Sequence, residues 1–166
     1  MGEKLTKEDV RKIKEEIEYR KIVVRKKELE AVKEARAQGD LSENFEYKAA
    51  KQDKNRNESR IRYLEKMLKF AQVISDKSAE DEIGVNDIIE VYFPKDNEIE
   101  VYHLVTGVRG NSLEGKVSID SPLGKALLSK KVGEEVTVKT DAFEYTIKIK
   151  NIKKNSDESA DVIRKY

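Results

Sequence analysis

A chain of 166 residues, 40% charged and 37% hydrophobic, has room for one domain or two small ones, and without cysteine it has no disulfide framework and no thiolate metal site. It has only two prolines and its apolar residues recur periodically, which argues against disorder. No run approaches the roughly 18 apolar residues of a membrane span, and MGEKLTKEDV lacks the apolar centre of a signal peptide, so a cytoplasmic protein away from membranes is expected. The net charge of +1 conceals an asymmetry. Residues 1–70 hold 20 Lys and Arg against 15 Asp and Glu, and the remainder holds 14 against 18, so the two halves present surfaces to different partners.

The first helix is predicted to start at Thr6, which forms a variant capping box with Asp9 and has Leu5 outside it as a staple residue. Val10, Ile17, Val24 and Ala31 recur every seven residues, with Ile13 as a second seam position. Its heptad successors Arg20, Lys27 and Glu34 are charged, so the seam is narrow. The helix should end near Gln38, with Gly39 as the left-handed residue beyond it.

A second helix is predicted from Leu41 or Ser42 to about Ile74, with Tyr47, Ala50, Ile61, Leu64, Leu68 and Ala71 on one seam that Lys54 and Asn57 break. Between Lys51 and Arg60, KQDKNRNESR offers no apolar residue. The connection is too short for anything but an antiparallel return, giving a coiled-coil hairpin with arms on the order of 45 Å long. A seam this thin cannot make the distal half a compact core. That half should project into solvent or into another protein's cavity.

After about Asp76 the period changes to that of strands: DIIEVYF (87–93), EIEVYHLV (98–105), KVSI (116–119), EEVTVKT (134–140) and FEYTIKIKNI (143–152). SPLGKALLSK (121–130) reads as a short helix with Ser121 as N-cap and Pro122 at its first position. The expected class is therefore α+β in two domains: a hairpin over 1–75, a linker over 76–84, an antiparallel sheet with a short helix over 85–152, and a polar tail over 153–166 that is frayed or disordered.

Three candidate sites arise. Gly110 with Gly115–Lys116 fits G-x-x-x-x-G-K, but Val117 follows where a phosphate loop needs Ser or Thr and a helix, so that reading is rejected. His103 is the only histidine and lacks convergent ligands, so it is expected at a solvent-facing strand position. The third is GDLSEN (39–44) at the hairpin turn. Asp40 and Glu43 can be an N-cap and its partner three residues on, or an acidic tip that completes a metal position inside a site already holding phosphate and carboxylates. Two metals 3.5–4 Å apart would then support in-line phosphodiester cleavage.

ARAQGDLSENFEYKAAK (35–51), SRIRYLEKMLKFAQVI (59–74) and SIDSPLGKALLSKKVGEEVTVKT (118–140) resemble bacterial transcript cleavage factors of the GreA/GreB family, nearest to its GreA branch, over roughly residues 5–152. The resemblance implies an FKBP-like C-terminal domain and a monomer that is no enzyme itself. Such a factor enters the secondary channel of bacterial RNA polymerase and stimulates cleavage of backtracked nascent RNA. It implies that Asp40 and Glu43 help hold a second Mg²⁺ shared with the polymerase active site and that Arg36 and Lys51 contact the extruded RNA 3′ end. It assigns Asp120, Ser121 and Pro122 to gripping the polymerase at the channel rim. Phe45 departs from the alanine the family commonly has there, and either stacks on an RNA base or covers the turn. Three rivals stand beside this reading: an inhibitory homologue that blocks the same channel, a nucleic-acid chaperone with a basic hairpin, and a coiled-coil adaptor.

Overall fold

The apolar spacing of the first seventy residues becomes two helical arms, and the β-branched runs that follow become one sheet. The computed structural model describes residues 2–39, 44–158 and 161–165. Two compact units divide the chain: Met1–Gly2 with Asp9–Ala71, and Glu3–Glu8 with Gln72–Tyr166. Among the described residues no helix is long and apolar enough to cross a membrane.

In the first unit, α1 (Lys7–Tyr19), a π-helical turn (Arg20–Val24) and α2 (Arg25–Ala37) run on as one arm, and α3 (Phe45–Lys69) is the other. Cross-arm bonds pair Ala35 with Asn44, Arg25 with Glu58 and Glu16 with Arg60, so the arms are antiparallel. Ile13, Ala35, Ile61, Leu64 and Met67 are its buried apolar residues. Where α3 lacks apolar residues, polar side chains close the gap. Arg25 grips Glu58 with two bonds of 3.0 and 2.9 Å, and Glu16 accepts from both Arg20 and Arg60 at 2.8 Å. Burial raises the Glu16 carboxyl, but the hydrogen bonds from Arg60 and Arg20 outweigh it and hold the group below its usual range.

The break that Asn57 makes in the seam has a structural reason. In the π-helical turn the Arg25 amide bonds the Arg20 carbonyl five residues back rather than four. Asn57, 4% exposed, donates to that same carbonyl at 3.3 Å and accepts from the Arg20 guanidinium at 3.0 Å. The turn takes up one extra residue, and the inner face moves by one position. Strict heptads from Ile13 lead to Lys27 and Glu34, which are exposed, whereas Glu28 is half-buried and Ala35 is buried. The charged seam read from the sequence is thus a register read one residue too early.

In the second unit, β1 (Lys4–Leu5) pairs in parallel with β2 (Gln72–Val73). The main sheet has β3 (Ile88–Phe93), β4 (Glu98–Val105), β5 (Lys116–Ser118), β6 (Glu135–Lys139) and β7 (Glu144–Lys153) in the order β5-β4-β3-β7-β6. Every neighbouring pair is antiparallel except β4–β5, which is parallel. Alternate residues Ile89 and Val91, Val136 and Val138, and Ile147 and Ile149 face one core, and Leu127 of α4 (Pro122–Leu127) belongs to the same cluster.

Four expectations are corrected. The second helix stops at Lys69, not Ile74, because Gln72 and Ile74 donate instead to the carbonyls of Glu3 and Leu5 across β1–β2. Leu5 is itself fully buried in β1, just before the helix start. Part of the 76–84 stretch expected as linker belongs to the sheet unit: Ile83 is fully buried and its amide donates to the Lys130 carbonyl at 2.8 Å. His103 is half-buried, not solvent-facing, and its Nε2 has no hydrogen-bond partner among the described residues. Burial pushes its pKa down.

The fourth correction concerns the tail, whose described residues 153–158 and 161–165 include several tied to the sheet unit. Arg109, 1% exposed, donates to Asp161 at 2.7 Å, to Glu158 at 3.2 Å and to Asn86 at 2.7 Å. Lys116 adds a second cation to Asp161 at 3.0 Å, and the Arg164 amide bonds the Val108 carbonyl at 2.7 Å. Ile163 is buried alongside. Burial raises the Asp161 carboxyl, yet the bonds from Arg109 and Lys116 prevail and hold it below its usual range. A carboxylate depressed in the folded chain contributes stability above the unfolded value of about 3.9, and that contribution is lost as pH falls through the folded value. In an acid titration followed by NMR, the Ile163 methyl signals should therefore report tail release below about pH 4. Signals unchanged until the whole sheet unfolds would contradict this.

Candidate functional site

The end of the hairpin is built by residues on both arms. The first arm closes with Gln38 near φ −91°, ψ 11°, and Gly39 follows at φ 133°, a left-handed conformation that glycine alone adopts without strain. Asn44 then serves as N-cap of α3: its Oδ1 accepts from the Tyr47 amide at 2.9 Å, while its Nδ2 donates to the Ala35 carbonyl at 2.7 Å. One side chain starts the second helix and ties it to the last turn of the first. α3 begins at Phe45, later than expected, with Asn44 as its N-cap. Asp40 and Glu43 themselves lie outside the described residues.

Basic and aromatic side chains surround this junction. Arg36, exposed in the last turn of α2, lies 5.4 Å from the centre of the Tyr47 ring and donates to its hydroxyl at 3.2 Å. That bond, with Lys51 and Lys54 farther off, draws the Tyr47 hydroxyl below its ordinary pKa. Arg36 and Lys51, the two expected RNA-contacting residues, thus act on one side chain. Lys51 is exposed. Tyr47, placed by heptad spacing in the seam, is half-buried and holds Arg36 in position.

In the sheet unit, Asp120, Ser121 and Pro122 form a tight corner between β5 and α4. Ser121 caps α4 by accepting from the Gly124 amide at 3.0 Å, its hydroxyl donates to the Ser118 carbonyl at 2.7 Å, and Pro122 occupies the first turn. Asp120 is exposed, with its amide bonded to Ser118 Oγ at 3.0 Å and Lys4 at 3.9 Å from its carboxylate. Gly124 makes the corner fit, since a Cβ there would fall 1.9 Å from the Ser118 carbonyl oxygen. Gly124→Ala should cost at least about 2–3 kcal/mol in chemical denaturation of the full chain. A variant as stable as the parent would show that the corner can give way.

Two carboxylates are too few to cage Mg²⁺ alone, since that ion keeps several waters and combines one or two carboxylates with phosphates. Among the described residues no group of three or more His, Cys, Asp or Glu could hold a metal ion.

Both units of the chain match the transcription elongation factor class. The N-terminal domain of that class, described as transcription elongation factor, N-terminal, matches residues 3–73, and the GreA/GreB C-terminal domain matches residues 77–154. The chain belongs to the GreA/GreB transcription elongation factor family. Transcription elongation factor GreA of Geobacillus kaustophilus is 43% identical over 150 residues, covering 90% of this chain and 95% of the relative. GreA of Bacillus subtilis is 40% identical over 148 residues, covering 89% and 94%. Among solved structures, GreA factor homolog 1 of Thermus thermophilus is 28% identical, covering 93% of this chain and all of the other, with a TM-score of 0.44. The family match ends at residue 154, before the buried Glu158 and Asp161.

Proposed function

We propose that this elongation factor enters the secondary channel of bacterial RNA polymerase and stimulates the polymerase's own cleavage of backtracked RNA, with no catalytic activity of its own. The observation that carries this reading is the division of labour at the tip: Asn44 caps α3 and fastens the arms, so capping needs neither Asp40 nor Glu43. Both would hold the second Mg²⁺ together with the polymerase active site. When bound there, that ion activates water and stabilises the leaving oxygen of an in-line phosphodiester cleavage. Arg36 and Lys51 neutralise phosphates of the extruded RNA 3′ end, contacts that position a strand without reading its sequence. Asp120, Ser121 and Pro122 form the polymerase-gripping corner, held in shape by the Ser118 and Gly124 contacts.

The test is an elongation complex stalled by backtracking, incubated with and without the protein, with RNA length as the readout. Shortened transcripts with release of 3′ fragments are expected, and free RNA should remain intact. Suppressed synthesis without cleavage would instead identify a channel-blocking homologue. Salt-sensitive RNA binding with no effect on the stalled complex would identify a chaperone. Either outcome overturns the proposal.

A further inference from the structure

Phe45 opens α3 with 80% of its surface exposed, directly after the Asn44 cap. An aromatic ring there would be explained if it covered the turn, but so exposed a ring covers little, and the two arms are already joined by the Asn44–Ala35 bond. The ring instead stands in water with the Lys48 ammonium 5.8 Å from its centre. The neighbouring Tyr47 has a different task, since its ring and hydroxyl are both engaged by Arg36. One aromatic residue fixes a cation, and the other is presented.

From this arrangement we infer that Phe45 is a stacking platform for an unpaired nucleobase, with Lys48, Arg36 and Lys51 placed to meet the adjoining phosphates. An apolar pocket in a protein partner would want the same ring but gain nothing from the Lys48 cation beside it. Flat apolar faces next to cations are how single strands are bound without sequence preference, each stacked base contributing because every base has a π-face. The identity of the strand rests on the function proposed above: there, the base belongs to the extruded end of backtracked RNA.

The chain contains no tryptophan, so Phe45→Trp installs one fluorophore at the platform. The full-length variant is titrated at low salt with a short oligoadenylate and with an abasic oligomer of equal phosphate number. Quenching several-fold stronger with the base-bearing strand is expected. Equal quenching by both, or none, overturns the inference. In the backtracked-complex assay, Phe45→Ala and Phe45→Leu should each raise the concentration for half-maximal cleavage about ten-fold, while Phe45→Trp and Phe45→Tyr stay near the parent. Leucine matching phenylalanine would point to an apolar protein pocket and overturn stacking. Base-dependent quenching by a protein that stimulates no cleavage would leave the platform standing and the proposed function fallen. Unimpaired cleavage by Phe45→Ala would do the reverse.

Discussion

Asp40→Asn combined with Glu43→Gln is expected to reduce stimulated cleavage of backtracked RNA on the order of a hundred-fold at limiting Mg²⁺, while thermal unfolding stays within about 0.5 kcal/mol of the parent. The first half follows from charge: neutral amides keep the shape of the side chains but are far weaker ligands for a hard dication. The second half follows from the cap. Asparagine and glutamine are themselves good residues at a helix start, and α3 is capped by Asn44 in any case. Excess Mg²⁺ should restore part of the activity, since the lost groups assist binding of an ion whose other ligands remain. Parental cleavage by the double variant would reduce the tip to a structural turn. Lost activity accompanied by a large drop in melting temperature would implicate folding instead.

The second large effect belongs to Arg109. Arg109→Met removes the charge but nearly keeps the volume, leaving Glu158 and Asp161 buried without their central cation. Breaking one side of such a buried network typically costs about 3–5 kcal/mol, equivalent to a fall in melting temperature of at least roughly 10 °C for a domain of this size. Neutralising the acids at the same time, with Glu158→Gln and Asp161→Asn, should recover much of that loss, because uncompensated charge is the main penalty. The three-residue cycle, followed by circular dichroism, separates a buried network from a surface decoration. An effect of Arg109→Met below about 1 kcal/mol would place the tail among dispensable surface pairs.

Most of the architecture was legible because period and punctuation agree. The alternation in DIIEVYF matches the buried Ile89 and Val91, EIEVYHLV is a strand that buries Leu104 and Val105 at its end, and Ser121–Pro122 announces a helix start that the Gly124 amide bond realises. The misses share a physical origin in tertiary context. Two-residue strands such as Lys4–Leu5 carry no period, so the pairing that ends α3 five residues early was invisible. A tail rich in Asp, Glu and Lys reads as solvated until Arg109, some fifty residues earlier, is found beneath it. At the tip, Asn44 was available as a signal, since asparagine ranks with aspartate as an N-cap and stands three residues before Tyr47. Asp40 offers a similar pattern four residues sooner in the chain.

The π-helical turn at Arg20–Val24 has a consequence for how the tip is aimed. In a regular α-helix each residue advances the azimuth by about 100°, so adding or losing one residue swings everything distal through more than a quarter turn. A wound segment that already stores one residue acts as a phase adjuster. Deleting a residue inside it tightens the winding yet leaves Arg36 pointing where it did, whereas the same deletion near Glu28 would carry Arg36 round the axis and away from Tyr47. Arms of unequal residue count can in this way share a single bearing at their far end.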